Sequence, residues 1–333
     1  MKKNTILLAL ALLLLAAAPS LAAQFSVPGR VSQGHAFPAS VSESHPFTAV
    51  FRWNGENLSV PASLDQSAQH PLWKAEILLA AKIDAKGSLP LAVRVGEQVS
   101  QFSIKVLPVA WPKSILTVPP RYVQPPQDVL DKIAQDRERS RKALAARTQK
   151  AWTLPLLRPV PGGITSPFGG RRVFNGQPRA PHMGTDMRSP EGASVMAVAD
   201  GVVVLAEEQY YGGNTIYIDH GQGIFSIYCH LLAFDCAVGD AVRRGQVIAR
   251  SGSTGRVTGP HLHFGFAVQG TSVDAMPLLS FPPNVTGGPS RSLYDTEKQK
   301  QAPSAKPKKA APKGSRQKVV KQKSKTQKER SRK

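Results

Sequence analysis

Two histidines, His261 and His263, stand one residue apart in the hydrophobic stretch Gly259-Pro-His-Leu-His-Phe264. In a β-strand successive side chains point to opposite faces, so both imidazoles would share one face. Two imidazoles on one face can form part of a metal site. An isolated His-x-His pair is more often exposed or hydrogen-bonded, so a metal site needs a further ligand elsewhere in the chain.

A further ligand is available in the stretch Pro181-His-Met-Gly-Thr-Asp186. His182 and Asp186 are four residues apart, and Gly184 between them is expected to bend the backbone. Together with His263 they make a His, Asp, His set, which leaves one tetrahedral position open, as in catalytic zinc sites. Nitrogen and oxygen donors suit Zn²⁺ better than Ca²⁺ or Mg²⁺, although other transition metals accept the same set.

Two more histidines are candidates for acid–base chemistry. His261 is not needed to complete the metal set, and His230 is expected to end a strand with Tyr228 on its own face. Zinc lowers the pKa of bound water to about 7, and a neutral imidazole nearby can orient or deprotonate that water. A second imidazole can stabilise the oxyanion that follows. The chain has no H-E-x-x-H motif, so these histidines would replace the usual glutamate base.

The other histidines are predicted to carry no chemistry. His220 lies at a turn after a strand-like segment and is expected to be structural. His35, His45 and His70 occur in turn-like contexts without a common spacing, so they are predicted to be surface residues.

The two cysteines, Cys229 and Cys236, are predicted to be buried thiols or to form a disulfide. A thiol ligand or nucleophile is the alternative for Cys229. Strand alternation argues against it, because it turns Cys229 away from its neighbours Tyr228 and His230.

Strands are expected to dominate the chain. Residues 24–109 contain strand-like runs at 47–53, 73–79, 89–95 and 99–106, separated by turns, which predicts a β-sandwich-like domain. Residues 110–151 begin as a proline-rich connector. A helix is predicted over 128–150, with Val129, Leu130, Ile133, Ala134 and Leu144 along one side.

Residues 152–285 change to short strands with many glycines, and no helix is predicted between 161 and 275. An antiparallel sheet folded into a groove fits this pattern.

The N-terminus predicts export. Residues 1–23 combine a basic head, an apolar run of Leu and Ala, and small residues, with cleavage expected after Ala22 or Ala23. A membrane anchor is the alternative, but the run is shorter than the roughly 20 residues that span a bilayer. No later segment is apolar enough to cross a membrane.

The net charge of +21 is concentrated at the C-terminus, where residues 291–333 hold 16 of the 43 basic residues and 3 of the 22 acidic ones. The tail, residues 286–333, is predicted to be disordered. It could hold the protein on an anionic envelope polymer or membrane surface, or it could act only as a solubilising segment. Nucleic acid is not an expected partner of an exported protein.

Residues 166–274 resemble the lysostaphin-like (LytM-type) zinc metallopeptidases, which cut peptidoglycan cross-bridges. The matching pieces, in the order and spacing of the family, are Ser166-Pro-Phe-Gly-Gly-Arg171, His182-Met-Gly-Thr-Asp186, Ala197-Val-Ala-Asp-Gly-Val202, Gly213-Asn-Thr-Ile-Tyr-Ile-Asp-His-Gly221, Tyr228-Cys-His-Leu231, Val238-Gly-Asp240, Gly245-Gln246, Gly252-Ser-Thr-Gly255 and Gly259-Pro-His-Leu-His-Phe264.

The resemblance implies a groove-forming antiparallel β fold and hydrolysis of a peptide bond. It implies that His182, Asp186 and His263 bind Zn²⁺. It also implies that His230 and His261 are the catalytic histidines, with His261 as the general base.

The resemblance further implies that Arg171, Tyr211 and Asn214 line the substrate groove. Two positions depart from the family: Met187 and Arg188 stand where small residues are usual, and Cys236 replaces an aliphatic residue.

The β-rich N-terminal region is similar to accessory domains that precede this peptidase in envelope proteins of Gram-negative bacteria. We therefore expect a periplasmic or envelope enzyme that acts on peptidoglycan stem peptides, at the D-alanyl to diaminopimelate cross-link. The alternative is a non-catalytic LytM-like regulator that activates cell-wall amidases.

Overall fold

The computed structural model describes residues 23–65, 71–117 and 123–280. The predicted signal peptide (apart from its last residue), the predicted basic tail and His70 lie outside these ranges. The described residues are mainly strand and contain one α-helix, as predicted. None of their helices is long and apolar enough to cross a membrane.

The N-terminal part is built from strands β1 (Gln24–Ser26), β2 (Arg30–Ser32), β3 (Ala36–Glu43), β4 (Thr48–Trp53), β5 (Glu56–Pro61), β6 (Ser63–Asp65), β7 (Leu72–Ala80), β8 (Ser88–Val95), β9 (Gln98–Leu107) and β10 (Lys113–Leu116). Two sheets, with orders β1-β3-β7-β6 and β2-β9-β8-β4-β5, contribute to one hydrophobic core. In β4 the alternate residues Ala49, Phe51 and Trp53 are buried, as the period of two requires. The predicted β-sandwich-like domain is confirmed.

The predicted helix is shorter than expected. After a 3₁₀ turn at Gln127–Val129, helix α1 spans Leu130–Ala143. The predicted apolar side was also wrong: Ile133 is buried, but Leu130 is 38% exposed and Asp136 is buried in its place. The helix therefore docks through a mainly polar face.

The chain after α1 leaves the helical conformation and bonds to the turn that contains His220. Thr148 Oγ1 donates a hydrogen bond to Asp219 at 2.8 Å, and Thr148 O accepts one from Gln222 N at 2.9 Å. Ala151 N donates to His220 O at 2.8 Å. A longer helix would have used the backbone groups of this segment in its own hydrogen bonds.

The C-terminal part contains strands β11 (Leu156–Leu157), β12 (Ile164–Ser166), β13 (Arg171–Phe174), β14 (Gln177–Pro178), β15 (Thr185–Met187), β16 (Ser194–Met196), β17 (Gly201–Gln209), β18 (Gly213–Asp219), β19 (Ile224–Phe234), β20 (Ala241–Val242), β21 (Val247–Ser251), β22 (Leu262–Val268), β23 (Thr271–Ser272) and β24 (Leu279–Ser280). A 3₁₀ turn at Met276–Leu278 precedes β24. Residues 161–275, all of them described, contain no α-helix, as predicted.

One large antiparallel sheet dominates this part, with the order β12-β15-β22-β19-β18-β17-β20 and with β16, β21 and β23 at its sides. Its core face is set by register: Ile216 lies opposite Tyr228, and Tyr228 lies opposite Phe264. All three side chains are buried. The other face of the same strands carries His263, which pairs across the sheet with Asp186.

His35 is not the surface residue that the sequence predicted. Its side chain is 14% exposed, and Nε2 lies 4.0 Å from Asp274 Oδ2. The backbone of the same segment contacts the peptide of Asp274, whose N–H donates to Gly34 O at 2.7 Å. His45, by contrast, is exposed as predicted and pairs with Glu43.

The proline-rich connector is partly ordered as strand β10, which pairs in parallel with β13. Pro112 O accepts a hydrogen bond from Arg171 N at 2.7 Å. The ring of Trp111 meets that of Phe168 edge-on, with centroids 5.7 Å apart. The connector thus braces the strand that follows Gly170, beside the candidate site.

Candidate metal centre and its histidines

Three donor atoms converge on the solvent side of the large sheet. His182 Nε2 lies 3.0 Å from Asp186 Oδ1 and 3.0 Å from His263 Nδ1, and His263 Nδ1 lies 2.8 Å from Asp186 Oδ1. The structure therefore brings together the three residues that the sequence predicted as ligands.

This set of donors fits zinc. Nitrogen and oxygen ligands lie about 2.0–2.2 Å from Zn²⁺, so in a tetrahedral site they are separated by roughly 3.3–3.5 Å. The observed separations of 2.8–3.0 Å are close to that spacing. Two imidazoles and one carboxylate are donors of the borderline hardness that zinc accepts.

His182 is fixed from behind. Its Nδ1 lies 3.0 Å from the carbonyl oxygen of Pro167 and 3.1 Å from Ser166 Oγ. A proton on Nδ1 that is donated to Pro167 leaves the Nε2 lone pair facing the cluster, the arrangement a metal ligand needs. Burial lowers the pKa of His182, so the neutral form is favoured. The sequence did not predict this support from Ser166 and Pro167.

Gly184 makes room for His263. A Cβ at position 184 would lie 2.6 Å from His263 Nε2 and 2.8 Å from Phe264 O. The chain bends at Gly184, as predicted, although its φ is not positive. The glycine is required by the close approach of the imidazole ring.

Asp186 is ionised in the folded protein. Burial alone would raise its pKa, but close contact with the imidazole rings of His182 and His263 lowers the pKa well below the ordinary range. Arg172 Nη2 lies 3.4 Å from the second carboxylate oxygen, Oδ2. The sequence analysis named Arg171 instead. Arg171 is exposed, and strand alternation turns Arg172, the next residue, toward the site.

His230 and His261 present the same nitrogen to the site. His230 Nδ1 lies 2.9 Å from Thr254 O, and His261 Nδ1 lies 2.8 Å from Gly259 O. Each carbonyl accepts a hydrogen bond from Nδ1–H, so each Nε2 carries a lone pair. The two rings are 5.0 Å apart between centroids, and His261 Nε2 is 3.7 Å from Asp186 Oδ1.

A backbone irregularity turns His230 toward the site. Its φ is +64°, a left-handed value that is uncommon outside glycine, and the pairing of β19 shifts register here. The expectation that His230 shares a face with Tyr228 is therefore wrong: Tyr228 lies in the core against Phe264. Burial, with His263 and His261 nearby, lowers the pKa of His230 to about 3, so its imidazole is neutral at pH 7.

Thr254 holds this irregular backbone together. Its Oγ1 donates to Leu231 O at 2.8 Å and accepts from Asn214 N at 3.0 Å. Asn214 Nδ2 also donates to Leu232 O at 3.2 Å. Asn214, expected from the resemblance to line the groove, thus also ties β18 to the backbone beside His230.

Tyr211 lies at the edge of the site. The guanidinium of Arg256 stands 4.5 Å from its ring centroid and 5.4 Å from that of Phe174. The sequence named Tyr211 as a groove residue but not Arg256. Arg256 and Tyr211 thus form a cation–π pair, and both side chains are half-buried.

Both cysteines are free thiols. Cys229 is buried and faces away from Tyr228, as expected, but it lies directly opposite His263 and so belongs to the face of the sheet that carries the site. Burial raises the pKa of its thiol to about 12, and the pKa of Cys236 to about 11. Neither thiol is a nucleophile at neutral pH.

His220 is structural, as expected. It is fully buried, with Nδ1 2.7 Å from Asp200 O and Nε2 2.7 Å from Ser226 Oγ. Burial lowers its pKa to about 4.

Known proteins match the part of the chain that contains this site. Residues 180–275 match the sequence profile of peptidase family M23. The chain is similar to the peptidoglycan DD-endopeptidase ShyA of Vibrio cholerae, with 46% identity over 114 residues, which is 34% of this chain and 26% of that protein. It is also similar to the DD-carboxypeptidase/endopeptidase Mpg of Neisseria meningitidis, with 38% identity over 137 residues, 41% of this chain and 31% of that protein. The chain thus spans less than a third of the length of either relative.

The structure is similar to that of a Pseudomonas aeruginosa protein assigned to peptidase M23. The TM-score is 0.53 at 28% identity, and the match covers 74% of this chain and 92% of that chain. Because the matched share is much larger than residues 180–275, the likeness extends into the N-terminal part.

Proposed function

From the peptidase family M23 domain that residues 180–275 form, we propose that this protein is a zinc-dependent endopeptidase that hydrolyses peptide cross-links of peptidoglycan. The observation that carries the proposal is the convergence of His182 Nε2, Asp186 Oδ1 and His263 Nδ1 within 3.0 Å of one another. These three residues would hold the zinc.

When bound, zinc would lower the pKa of water at the site and polarise the carbonyl of the scissile peptide bond. Asp186 contributes a negative charge that is already present, because contact with the neighbouring imidazole rings holds its pKa well below the ordinary range. As metal ligands, His182 and His263 would bind through neutral imidazole nitrogens. The site thus combines one anionic and two neutral donors. A zinc ion bound by these three would keep a fourth position for water or substrate.

His261 and His230 would move protons. With Nδ1 donating to a backbone carbonyl, each Nε2 can accept a proton from water and then donate it to the oxyanion or to the leaving amine. His261 is 18% exposed at its side chain, whereas His230 is buried. Greater access to solvent supports His261 as the general base and His230 as its partner in stabilising charge.

The substrate follows from the relatives. ShyA is named a peptidoglycan DD-endopeptidase and Mpg a DD-carboxypeptidase/endopeptidase, so we propose a D,D bond such as D-alanyl to diaminopimelate. Peptidoglycan stem peptides would be the partner, and the periplasm or cell envelope of a Gram-negative bacterium the location. The alternative of a non-catalytic amidase regulator loses support, because such a protein does not require an intact set of three ligands with two histidines beside it.

Digestion of purified sacculi tests the proposal. Zinc-loaded wild type and His45→Ala, whose histidine is exposed and far from the site in the N-terminal sandwich, are expected to release soluble muropeptides. His263→Ala is expected to release none. A wild type that binds zinc and releases no product would overturn the proposed function.

A further inference from the structure

A surface cavity of about 440 Å³ lies between helix α1 and strands β17 and β18. Its walls include the apolar side chains Ile133 and Leu144 and the rings of Tyr211 and Tyr217. Two arginines, Arg137 and Arg141, also border it, together with the buried carboxylate of Asp136. An aliphatic group would therefore find apolar walls here, with positive charge at the rim.

The cavity persists because α1 is held by polar contacts and not by close apolar packing. Asp136 Oδ2 accepts a hydrogen bond from Tyr210 N at 2.7 Å, and Lys132 Nζ donates to Glu208 O at 2.9 Å. Ser140 Oγ is contacted at 3.0 Å by Gln209 Nε2 and at 3.2 Å by Tyr217 Oη, and Arg139 pairs with Glu207 at 2.8 Å. These contacts fix the helix along the sheet and leave the gap between them.

The cavity reaches the backbone that positions the catalytic histidine. Gly212, which lines it, accepts a hydrogen bond from His230 N at 2.8 Å through its carbonyl oxygen. Tyr211 O accepts one from Arg256 N at 3.0 Å. A substrate held near His230 could therefore extend a side chain past Tyr211 into the cavity.

The arginines of α1 differ in whether they form ion pairs. Arg141 forms a two-point ion pair with Glu138, with contacts of 2.7 and 2.9 Å, and Arg139 pairs with Asp136 and Glu207. Arg137 is exposed and makes no ion pair with the residues that the structure describes. Its planar guanidinium is available to bind a carboxylate at two points.

We propose that this cavity is a substrate subsite, which receives an aliphatic side chain of the substrate peptide that ends in a carboxylate, with Arg137 as the carboxylate's partner. The inference rests on the proposed endopeptidase function and names the part of the substrate that it selects. Helix α1 lies outside residues 180–275, so this specificity would come from the segment before the peptidase domain.

Two cross-linked peptide dimers test the subsite: one carries meso-diaminopimelate at the third position, and the other carries the same residue with its side-chain carboxylate converted to an amide. Zinc-loaded wild type is expected to hydrolyse the carboxylate form with a kcat/KM at least tenfold higher. Arg137→Gln is expected to lower kcat/KM for the carboxylate form about tenfold or more and to leave the amide form within twofold. Lys142→Gln removes a charge from the same helix outside the cavity, and both values should stay within twofold.

Leu144→Trp would fill the cavity and is expected to raise KM for both dimers, with unchanged zinc content and thermal unfolding. A wild type that cleaves both dimers equally well, or an Arg137→Gln variant that changes both equally, would overturn the subsite and leave the proposed function standing. A zinc-loaded wild type that cleaves neither dimer would overturn the proposed function, and the subsite with it.

Discussion

The imidazole of His230 donates its Nδ1 proton to the carbonyl oxygen of Thr254, 2.9 Å away on a neighbouring strand connection. His261 makes the equivalent bond to Gly259. Two backbone carbonyls thereby select the same tautomer in two histidines, whose rings lie 5.0 Å apart beside the metal ligands. This relationship separates the roles in the site: three residues can bind an ion, and two can exchange protons beside it.

We predict that His230→Ala and His261→Ala lower kcat by about 10²–10⁴, the usual contribution of a positioned acid or base, without loss of bound zinc. Neither side chain belongs to the triangle of ligand atoms. Steady-state kinetics on a defined cross-linked peptide, together with metal analysis of the same samples, checks this. Zinc loss in proportion to the loss of rate would instead make these residues ligands.

Thr254 is predicted to be a positioning residue. Thr254→Val removes a hydroxyl that bonds Leu231 O and Asn214 N, so the carbonyl that orients His230 should become less well placed. We expect kcat to fall roughly tenfold while zinc content stays unchanged, in line with the sensitivity of catalysis to small misplacements. Thr254→Ser keeps the hydroxyl and should recover most of the rate. Equal losses in the valine and serine variants would count against this role.

Gly184→Ala is predicted to weaken zinc binding by about 10–100-fold, the range seen when support of a ligand is disturbed. The added Cβ would contact His263 Nε2 and must displace the ring. Gly163→Ala is the matched control, since no atom lies within 4 Å of a Cβ at that position. Competition with a chelator measures the affinity. The same affinity in both alanine variants would show that the close packing at Gly184 is not needed.

Stability should fall at acidic pH through His220. The pKa of His220 is lowered to about 4 by burial, from an ordinary value of 6.5, so the unfolded chain binds a proton more readily than the folded protein. Stability from this group is fully present above pH 6.5 and is lost as the pH falls toward 4, which amounts to about 2–3 kcal/mol between pH 7.5 and 4.5.

Besides burial, a directed chain of hydrogen bonds favours the neutral form of His220. Val198 N–H donates to Tyr228 Oη, which lies 2.9 Å from Ser226 Oγ, and Ser226 Oγ lies 2.7 Å from His220 Nε2. Since Nδ1 donates to Asp200 O, the Nε2 atom must accept, and a second ring proton would reverse the chain. Urea unfolding of wild type and His220→Gln at both pH values measures the difference. Equal losses of stability in the two proteins would rule out His220 as the source.

Periodicity and residue type predicted much of this architecture. His261 and His263 do lie on one side, both near Asp186, with Leu262 buried between them, although β22 begins only at Leu262. The β-rich N-terminal domain is also observed. The ligand set could be proposed because a His-x-x-x-Asp segment and a His-x-His segment can meet across one antiparallel pair, and Asp186 does lie opposite His263.

The sequence could not predict features that depend on a local break in the pattern. The left-handed backbone of His230 reverses the alternation after Tyr228, and no local residue type announces it. Arg171 was expected at the groove, but Arg172 is the residue that reaches Asp186. Neighbouring residues of a strand face opposite ways, and the pairing of β10 with β13 sets which of the two faces the site. Helix α1 ends early because tertiary bonds of Thr148 replace helical ones.

The most direct test of the account joins metal content to bond cleavage on one sample. The protein is stripped with a chelator, reloaded with one equivalent of zinc, and incubated with a dimer cross-linked from D-alanine to diaminopimelate, and the products are identified by mass. We predict that hydrolysis of the cross-link is absent after chelation and returns with zinc in wild type. In Asp186→Asn, which lacks the ionised oxygen of the triangle, neither stoichiometric zinc nor hydrolysis should return. Hydrolysis by chelated protein, or zinc-loaded wild type that leaves the dimer intact, would contradict the account.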